Sequence, residues 1–339
     1  MRIAGLYRPL VGGPAAIASC VLAAQPAHAT EGGASFYLLG SGGPGAGELP
    51  AVTGIFFDNT YYYYHGEATA GRQFVVGGNL VAGLDATINA DFATVMWVPT
   101  THFAGGTLAL AGALAVGQPK VDVDAVIRGP RGGEVTISRS DKAFMVGDPV
   151  VTAALGWNLA KSTHLSTSAT VNIPIGHYRE GELANLSFHR WIADWSTALT
   201  WASAGWDVSG KTGFTFNGKN DFTDYKSGTE FHLEGSVERK FSKEVSAGIQ
   251  AYHFQQISGD SGSGATLGSF KGRVSALGVT AAYNFNIGHT PATLRARLFK
   301  EFGEKNRLGN GTAILFSLDA PLKMNLPKAA PGPAASPSE

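Results

Sequence analysis

Residues 58–66 read DNTYYYYHG and place four consecutive tyrosines, at positions 61–64, close to an aspartate. Side chains alternate between the two faces of a strand, so a strand here turns two phenol rings to each side. A soluble sheet has one wet face and one core face, and large aromatic rings on both sides suit neither. The wall of a membrane barrel accepts them, because tyrosine is satisfied at the lipid headgroups on one side and in a polar lumen on the other.

The same two-residue period runs through much of the chain. Apolar and polar side chains alternate over residues 163–175, 206–216 and 231–241. Soluble strands usually have about 5 or 6 residues, whereas a tilted strand that crosses a bilayer needs about 9 to 11. Past residue 29 there is no uninterrupted apolar run of ~18 residues or more, which argues against spanning helices but not against spanning strands.

The connections between these segments alternate in length. Short links lie near residues 100–104 and at 161–162, 203–205, 242–243 and 288–289, and longer polar links lie near 66–73, 128–147, 176–187, 217–226, 258–269 and 303–309. Short periplasmic turns that alternate with longer outer loops are typical of an outer-membrane barrel. We therefore expect an all-β protein whose residues 52–322 form a transmembrane antiparallel up-and-down β-barrel of about 12 strands. An even strand number places both termini in the periplasm.

Both ends of the chain differ in composition from this middle part. Residues 1–29 have the order of a cleavable secretory signal peptide: basic Arg2 and Arg8, an apolar run, then Ala-His-Ala. Cys20, the only cysteine, also fits a loose lipoprotein cleavage pattern, but apolar residues follow it. Ordinary cleavage leaves no cysteine and hence no disulfide. The proline-rich residues 323–339 cannot join a sheet, and we expect a disordered periplasmic tail.

The charge balance excludes one large class of function. Removal of Arg2 and Arg8 lowers the basic count from 26 to 24 against 26 acidic residues, a net charge near −2. No broad basic face is then available for nucleic acid, and we expect no DNA or RNA partner.

Several patches, in matching order, resemble one family. They are residues 54–66 (GIFFDNTYYYYHG), Gly147-Asp148-Pro149, Ala184-Asn185-Leu186, residues 224–237 (DYKSGTEFHLEGSV) and residues 251–278. Together they resemble the MetA-pathway of phenol degradation family along nearly the whole mature chain. The resemblance implies an outer-membrane β-barrel associated with the breakdown of aromatic compounds, which are thought to pass through it.

The alternation of side chains nominates residues for each surface of the barrel. The membrane-interface girdle is predicted to contain Tyr61, Tyr63, Trp97, Phe103, Trp157, Trp201, Trp206 and Phe241. The lumen-facing candidates for ligand contact are Asp58, Tyr62, Tyr64, Asp85, Asn89, Asp91, Arg190, Asp194, His232, Glu234, Glu238, Arg295, Arg297 and Glu301. Mixed charges on an inner wall fit a structural network of ion pairs as well as a polar channel.

Residues 30–51 precede the first strand and carry the second hypothesis about the lumen. About 12 strands leave room for a small molecule unless something fills the space. We expect this segment either to be a disordered periplasmic leader or to fold into the lumen as a plug. In the second case Phe36, Tyr37, Leu38 and Leu39 supply its apolar contact, and its glycines let the backbone bend.

Motifs of other functions are present only in fragments. Residues 259–264 (GDSGSG) are similar to a protease nucleophile loop, but sequence places no histidine and aspartate beside Ser261. Residues 40–45 match G-x-G-x-x-G without a βαβ context, and the nine histidines show no metal-ligand spacing. We expect no enzyme activity, no cofactor and no metal.

The sequence therefore favours a bacterial outer-membrane channel for passive uptake of small hydrophobic or aromatic compounds, such as phenol-like degradation substrates. The alternative is a structural or surface-binding barrel without transport. The expected partners are outer-membrane lipid and lipopolysaccharide, a small aromatic or hydrophobic solute, and the barrel-assembly machinery, which recognises a last-strand pattern fitted by Gly311, Ile314 and Phe316.

Overall fold

The computed structural model describes residues 35–325, except 77, 129–133 and 270. The signal peptide with Cys20 and nearly all of the tail lie outside this part. The described residues form strands β1 (Gly54–Val76), β2 (Asn79–Phe103), β3 (Gly106–Arg128), β4 (Glu134–Lys142), β5 (Met145–Val146), β6 (Val150–Ala160), β7 (Thr163–Asn172), β8 (Ile192–Ser203), β9 (Trp206–Asn217), β10 (Lys219–Asn220), β11 (Tyr225–Lys226), β12 (Glu230–Lys240), β13 (Val245–Gln256), β14 (Arg273–Ile287), β15 (Thr290–Lys305) and β16 (Gly309–Met324).

Twelve of the strands in the described ranges close into an antiparallel barrel. Each pairs with its neighbour in chain order, and β16 pairs with β1 over the register Gly54 with Met324 to Glu67 with Gly309, so that each of these twelve strands has a partner on both sides. β4 and β5 form an additional flap on β3, and β10 with β11 makes a small hairpin. Among the described residues, no helix is long and apolar enough to cross a membrane.

The barrel has two different ends. At one end, the short-turn end, the strands are joined at 104–105, 161–162, 204–205, 241–244 and 288–289. The first barrel strand begins there and the last one ends there. The opposite, long-loop end carries residues 173–191, 218–229 and 257–272. The location of the short-turn end in the periplasm stays a prediction.

Several boundaries differ from the sequence prediction. Residues 66–73 are not a loop, because β1 continues to Val76, and β2 begins at Asn79. The link predicted at 303–309 is only 306–308, and β16 extends past residue 322 to Met324. In both places the polar residues continue the backbone pairing of a long strand, so polarity alone does not mark the end of a strand here.

The inward assignment of Asp85, Asn89 and Asp91 is wrong. The register opposes Tyr61 with Asp91 and Tyr63 with Asn89, so these β2 side chains share the outer face with the outward tyrosines. The Tyr61 hydroxyl donates to Asn89 Oδ1 at 2.8 Å. The reason lies on the other face of β2, where small and apolar residues face the interior and pack beside the inward tyrosines: Ala86, Ile88, Ala90, Phe92 and Met96 are buried.

The outer wall is apolar with aromatic side chains toward both ends. Near the short turns lie Trp97, Phe103, Trp157, Trp201, Trp206 and Phe241, of which all but the half-buried Trp157 are exposed. Tyr61 is exposed and Tyr63 is half-buried, and both lie in the first half of β1. Trp191, Trp195 and Phe216 are exposed toward the long-loop end, although the sequence prediction did not include them. Exposed aromatics toward both ends fit the interfacial girdles of a bilayer.

Candidate functional site: the barrel interior

The inward face of β1 contributes an aromatic cluster. Tyr62 and Tyr64 lie nearly parallel, with ring centroids 6.3 Å apart and an interplanar angle of 8°. The Tyr64 hydroxyl donates to Glu301 Oε2 at 2.9 Å, and the Tyr252 hydroxyl donates to Oε1 of the same carboxylate at 2.7 Å. Phe299 packs against Tyr252 at 5.1 Å. The cluster is therefore apolar with one carboxylate held between two phenols.

Residues 35–48, which we call the lumen segment, run through the interior of the barrel. Residues 35–47 are all buried, and Phe36, Tyr37, Leu38 and Leu39 are at most 3% exposed. These four residues belong to the same apolar cluster as Tyr62, Tyr64 and Tyr252. Phe36 also contacts Phe188 edge-on, with centroids 6.1 Å apart. Burial of four large side chains stabilises this position by roughly 1.5–3 kcal/mol each before the cost of ordering the chain.

The backbone of the lumen segment is hydrogen-bonded to the barrel wall. The amides of Gly40 and Gly42 donate to the two carboxylate oxygens of Glu234, at 2.9 and 3.0 Å. Gln250 donates to the Gly40 carbonyl at 3.0 Å. A segment without secondary structure needs such partners, because a buried unpaired amide costs about 1–3 kcal/mol. Glu234 is thus the main polar contact for the middle of the segment.

The lower part of the segment is bonded to the wall near the short turns. The Gly45 amide donates to Ser209 Oγ at 3.0 Å, and the Gly47 amide donates to Thr200 Oγ1 at 2.9 Å. Gly47 lies directly against the wall, since a Cβ atom there would be 2.6 Å from the His164 carbonyl oxygen and 2.7 Å from the Thr200 nitrogen. Only glycine permits this approach.

The Tyr37 ring lies on the ring of His232. The two centroids are 3.6 Å apart with an interplanar angle of 11°, and Lys211 Nζ is 5.0 Å from the Tyr37 centroid. His232 Nε2 is 3.0 Å from Asp194 Oδ2, and Asp194 also accepts hydrogen bonds from Ser196 and Thr215. The barrel wall therefore fixes the imidazole plane without help from the lumen segment.

The remaining lumen candidates form a charged network on the wall. Arg295 forms an ion pair with Glu238, and both side chains are about 4% exposed. Asp58 lies opposite Asp319 in the register and accepts from Thr60 Oγ1. Arg297 is buried as well, as is Arg190, whose guanidinium lies 5.1 Å from the Phe188 ring centroid. The pair of Arg295 and Glu238 fits a structural role for these inner-wall charges.

A cavity of about 410 Å³ opens beside the lower part of the segment, near the short turns. Among its lining residues are Glu48, Lys161, His164, Asp207, Glu238, Lys240 and Arg295. Burial raises the pKa of Glu48 to about 7, and the nearby Asp207 carboxylate adds to the rise, while Lys240 opposes it. Its carboxyl group is therefore partly protonated near neutral pH, at the place where the segment leaves the interior.

Three residues of this arrangement were not among the sequence candidates: Lys211, Gln250 and Glu48. The alternation along β9 does place Lys211 inward, and that signal could have been used. Nothing in the local pattern distinguishes Gln250 from the other polar residues of β13, because its role depends on the chain that lies opposite. In the described part of the chain, no group of three metal-ligating side chains could hold a metal ion.

Comparison with known proteins gives the family. The family described as putative MetA-pathway of phenol degradation matches residues 70–316. The chain belongs to this family. Comparison with proteins of curated function returns no match.

One solved structure confirms the fold of this phenol-degradation family member, and two more distant ones are also similar. The crystal structure of the COG4313 outer membrane channel from Pseudomonas putida F1 is similar, with a TM-score of 0.63 and 17% identity over 82% of this chain and 99% of that one. A Pseudomonas aeruginosa FadL homologue is more distant, with a TM-score of 0.41 and 11% identity over 89% and 99%. The KdgM porin has a TM-score of 0.38 and 9% identity over 77% and 98%. The protein is an outer-membrane β-barrel.

Proposed function

We propose that this protein is a channel for passive uptake of small hydrophobic or aromatic compounds, closed by its own lumen segment. The observation that carries the proposal is the content of the interior: an aromatic cluster around Tyr62 and Tyr64 beside a segment that fills the lumen. Phenol rings receive aromatic solutes by offset stacking. The family description, which concerns phenol degradation, supports the same solute class.

The lumen segment acts as the plug in this proposal. Its contacts with the wall are hydrogen bonds to its backbone, the stacking of Tyr37 on His232 and one group of apolar side chains. Within the described residues it does not pair with a strand of the barrel. Such a segment can leave without breaking the barrel ladder. Deletion of residues 32–48 should raise the single-channel conductance of the purified protein, and an unchanged conductance would refute the plug.

The transport function is tested in cells. Uptake of a labelled phenol at limiting concentration is compared between cells with and without the protein in the outer membrane. The rate should fall on deletion of the gene and return with the intact gene, but not with a Tyr62→Ala/Tyr64→Ala double variant of equal barrel yield. Equal rates with a folded barrel present would favour a structural or surface-binding role instead.

Two further partners belong to this proposal. Lipopolysaccharide would contact the long-loop end, where Arg139 and Lys142 are exposed, although Arg139 already pairs with Glu182 at 2.5 Å. The barrel-assembly machinery would recognise β16, whose Phe316 faces outward between the buried Leu315 and Ser317. Lumen-facing ionic pairs such as Arg295 with Glu238 support the barrel and take no direct part in uptake.

A further inference from the structure

The position of Tyr37 is a complete binding site for one aromatic ring. His232 stacks on one face at 3.6 Å, Lys211 Nζ lies 5.0 Å from the ring centroid, and the ring is fully buried. Stacking and a cation near the ring both favour an aromatic occupant over an aliphatic one of the same size. The three elements that form the site, β8, β9 and β12, are all strands of the wall.

The site also has a place for the hydroxyl group of a phenol. A Cβ atom built on Gly42 would lie 2.7 Å from the Tyr37 hydroxyl, 2.9 Å from Lys211 Cδ and 3.3 Å from Glu234 Oε2, so these groups surround one point. In the described structure the Tyr37 hydroxyl is buried between the side chains of Ser41 and Glu234. Glu234 meanwhile accepts from the amides of Gly40 and Gly42.

Departure of the lumen segment changes the bonding of Glu234. The carboxylate loses both glycine amides and retains Gln250 Nε2, at 3.1 Å, on one oxygen. Its other oxygen then loses the amide of Gly40, and a buried acceptor gains from a replacement donor. A phenolic O–H whose ring lies on His232 supplies that donor.

We propose that the Tyr37 site binds phenols in the open channel, and that Tyr37 occupies it as a tethered phenol when the segment is seated. This inference rests on the proposed function and adds a specific site and a specific ligand class. A free phenol then competes with Tyr37 for the same ring position. Tethered groups act at effective concentrations on the order of millimolar, so competition by free phenols requires at least millimolar solute.

The test uses the full-length purified protein in detergent with p-cresol, which has the structure of the tyrosine side chain. Tyr37→Ala should bind p-cresol in isothermal titration calorimetry and bind toluene at least ~10-fold more weakly, because toluene lacks the hydroxyl donor; that factor corresponds to one hydrogen bond. Wild type should bind neither ligand below millimolar concentration.

Phe36→Ala is the matched control. It removes a neighbouring aromatic ring that is equally buried but lies against Phe188, and it leaves Tyr37 in place. Any cavity it creates should accept toluene at least as readily as p-cresol. A preference of Tyr37→Ala for toluene, or binding no tighter than that of wild type, would overturn the proposal.

A second measurement protects the test against misfolding of the variant. In planar bilayers, p-cresol at millimolar concentration should raise the open probability of the wild-type channel, whereas 4-methylcyclohexanol, which has the hydroxyl but no aromatic ring, should not. No response to p-cresol, or an equal response to both, counts against the site. If Tyr37→Ala binds p-cresol but cells that lack the gene take up phenol normally, the uptake function is refuted and the site is not. If uptake depends on the gene but Tyr37→Ala does not bind p-cresol, the site is refuted and the uptake function is not.

Discussion

The contact between Glu234 and the lumen segment gives the sharpest prediction about closure. Glu234→Gln keeps the size of the side chain but replaces one accepting oxygen with an NH₂ group. Gly40 and Gly42 bond to different oxygens of the carboxylate, at 2.9 and 3.0 Å, so one of the two amides must then face a donor. Loss of one hydrogen bond to a charged group in a buried position costs about 2–3 kcal/mol.

That cost applies to the seated state alone, because the glycine amides of a released segment are hydrated. The equilibrium between seated and released segment should therefore shift by about 30- to 150-fold toward release. The measurement is the open probability of single channels in planar bilayers, with the unfolding temperature of the barrel recorded in parallel. The open probability should rise steeply while the barrel stays folded.

Glu238→Gln is the matched control for this experiment. Glu238 lies on the same face of β12, but its hydrogen-bond partners are Ser246 and Arg295, and both belong to the wall. This variant should lower the unfolding temperature, because a buried ion pair loses its anion, without an increase in open probability. An equal rise in both variants would mean that general loosening of the barrel, not release from Glu234, opens the channel. No rise in Glu234→Gln would refute the role of the contact.

Three more predictions concern the lower segment and the loops. The pKa of Glu48 is raised from an ordinary 4.5 to about 7 in the seated segment. The seated state is therefore most stable below pH 4.5, and it loses about 3 kcal/mol as the pH rises through about 7. Open probability should therefore rise between pH 5 and pH 8, and Glu48→Gln should remove most of that dependence; a profile unchanged in the variant would assign it to another group. Gly47→Ala should raise conductance because its Cβ would meet wall backbone at 2.6 Å, whereas Gly112→Ala, with open space around it, should not, and identical traces would contradict the fit. Asp148→Ala should make residues 173–191 sensitive to protease in intact cells, because the Asp148 carboxylate accepts hydrogen bonds from three backbone amides of that loop; an uncleaved loop would show that other contacts hold it.

The barrel itself could be predicted from the sequence because the features that specify it, the alternation of side chains and the lengths of the links, can be read from neighbouring residues. Alternation at a period of two specifies which side chains face lipid, and β9 begins at Trp206, as the alternation over residues 206–216 predicts, and ends one residue later than that stretch, at Asn217. Short and long links then specify antiparallel order. The failure at β2 has a physical cause: its polar residues lie beside the outward tyrosines and its apolar face packs inside the barrel, and only pairing with β1 determines that Ala90 lies beside Tyr62.

The site was less predictable because its contacts join distant parts of the chain. Phe36 to Leu39 were recognisable as an apolar group beside glycines, but their partners could not be derived. Gly40 bonds to Glu234 across 194 positions, and no strand pattern carries that information. The aspartate of the Gly147-Asp148-Pro149 patch was visible only as a family resemblance, and the structure supplies its reason in the loop amides it binds.

The placement of strong and weak contacts suggests how the segment can be both seated and removable. Its apolar residues pack beside the aromatic cluster, its middle depends on one carboxylate, and its lower end depends on Glu48, whose pKa lies near neutral pH. None of these contacts contributes to the hydrogen-bond ladder that closes β16 on β1. Departure of the segment therefore removes packing inside the barrel but leaves the pairing of β16 with β1 intact. Under the proposed competition, a phenol in the place of Tyr37 on His232 would restore part of the packing that departure of the segment removes, and opening would then depend on the presence of the solute.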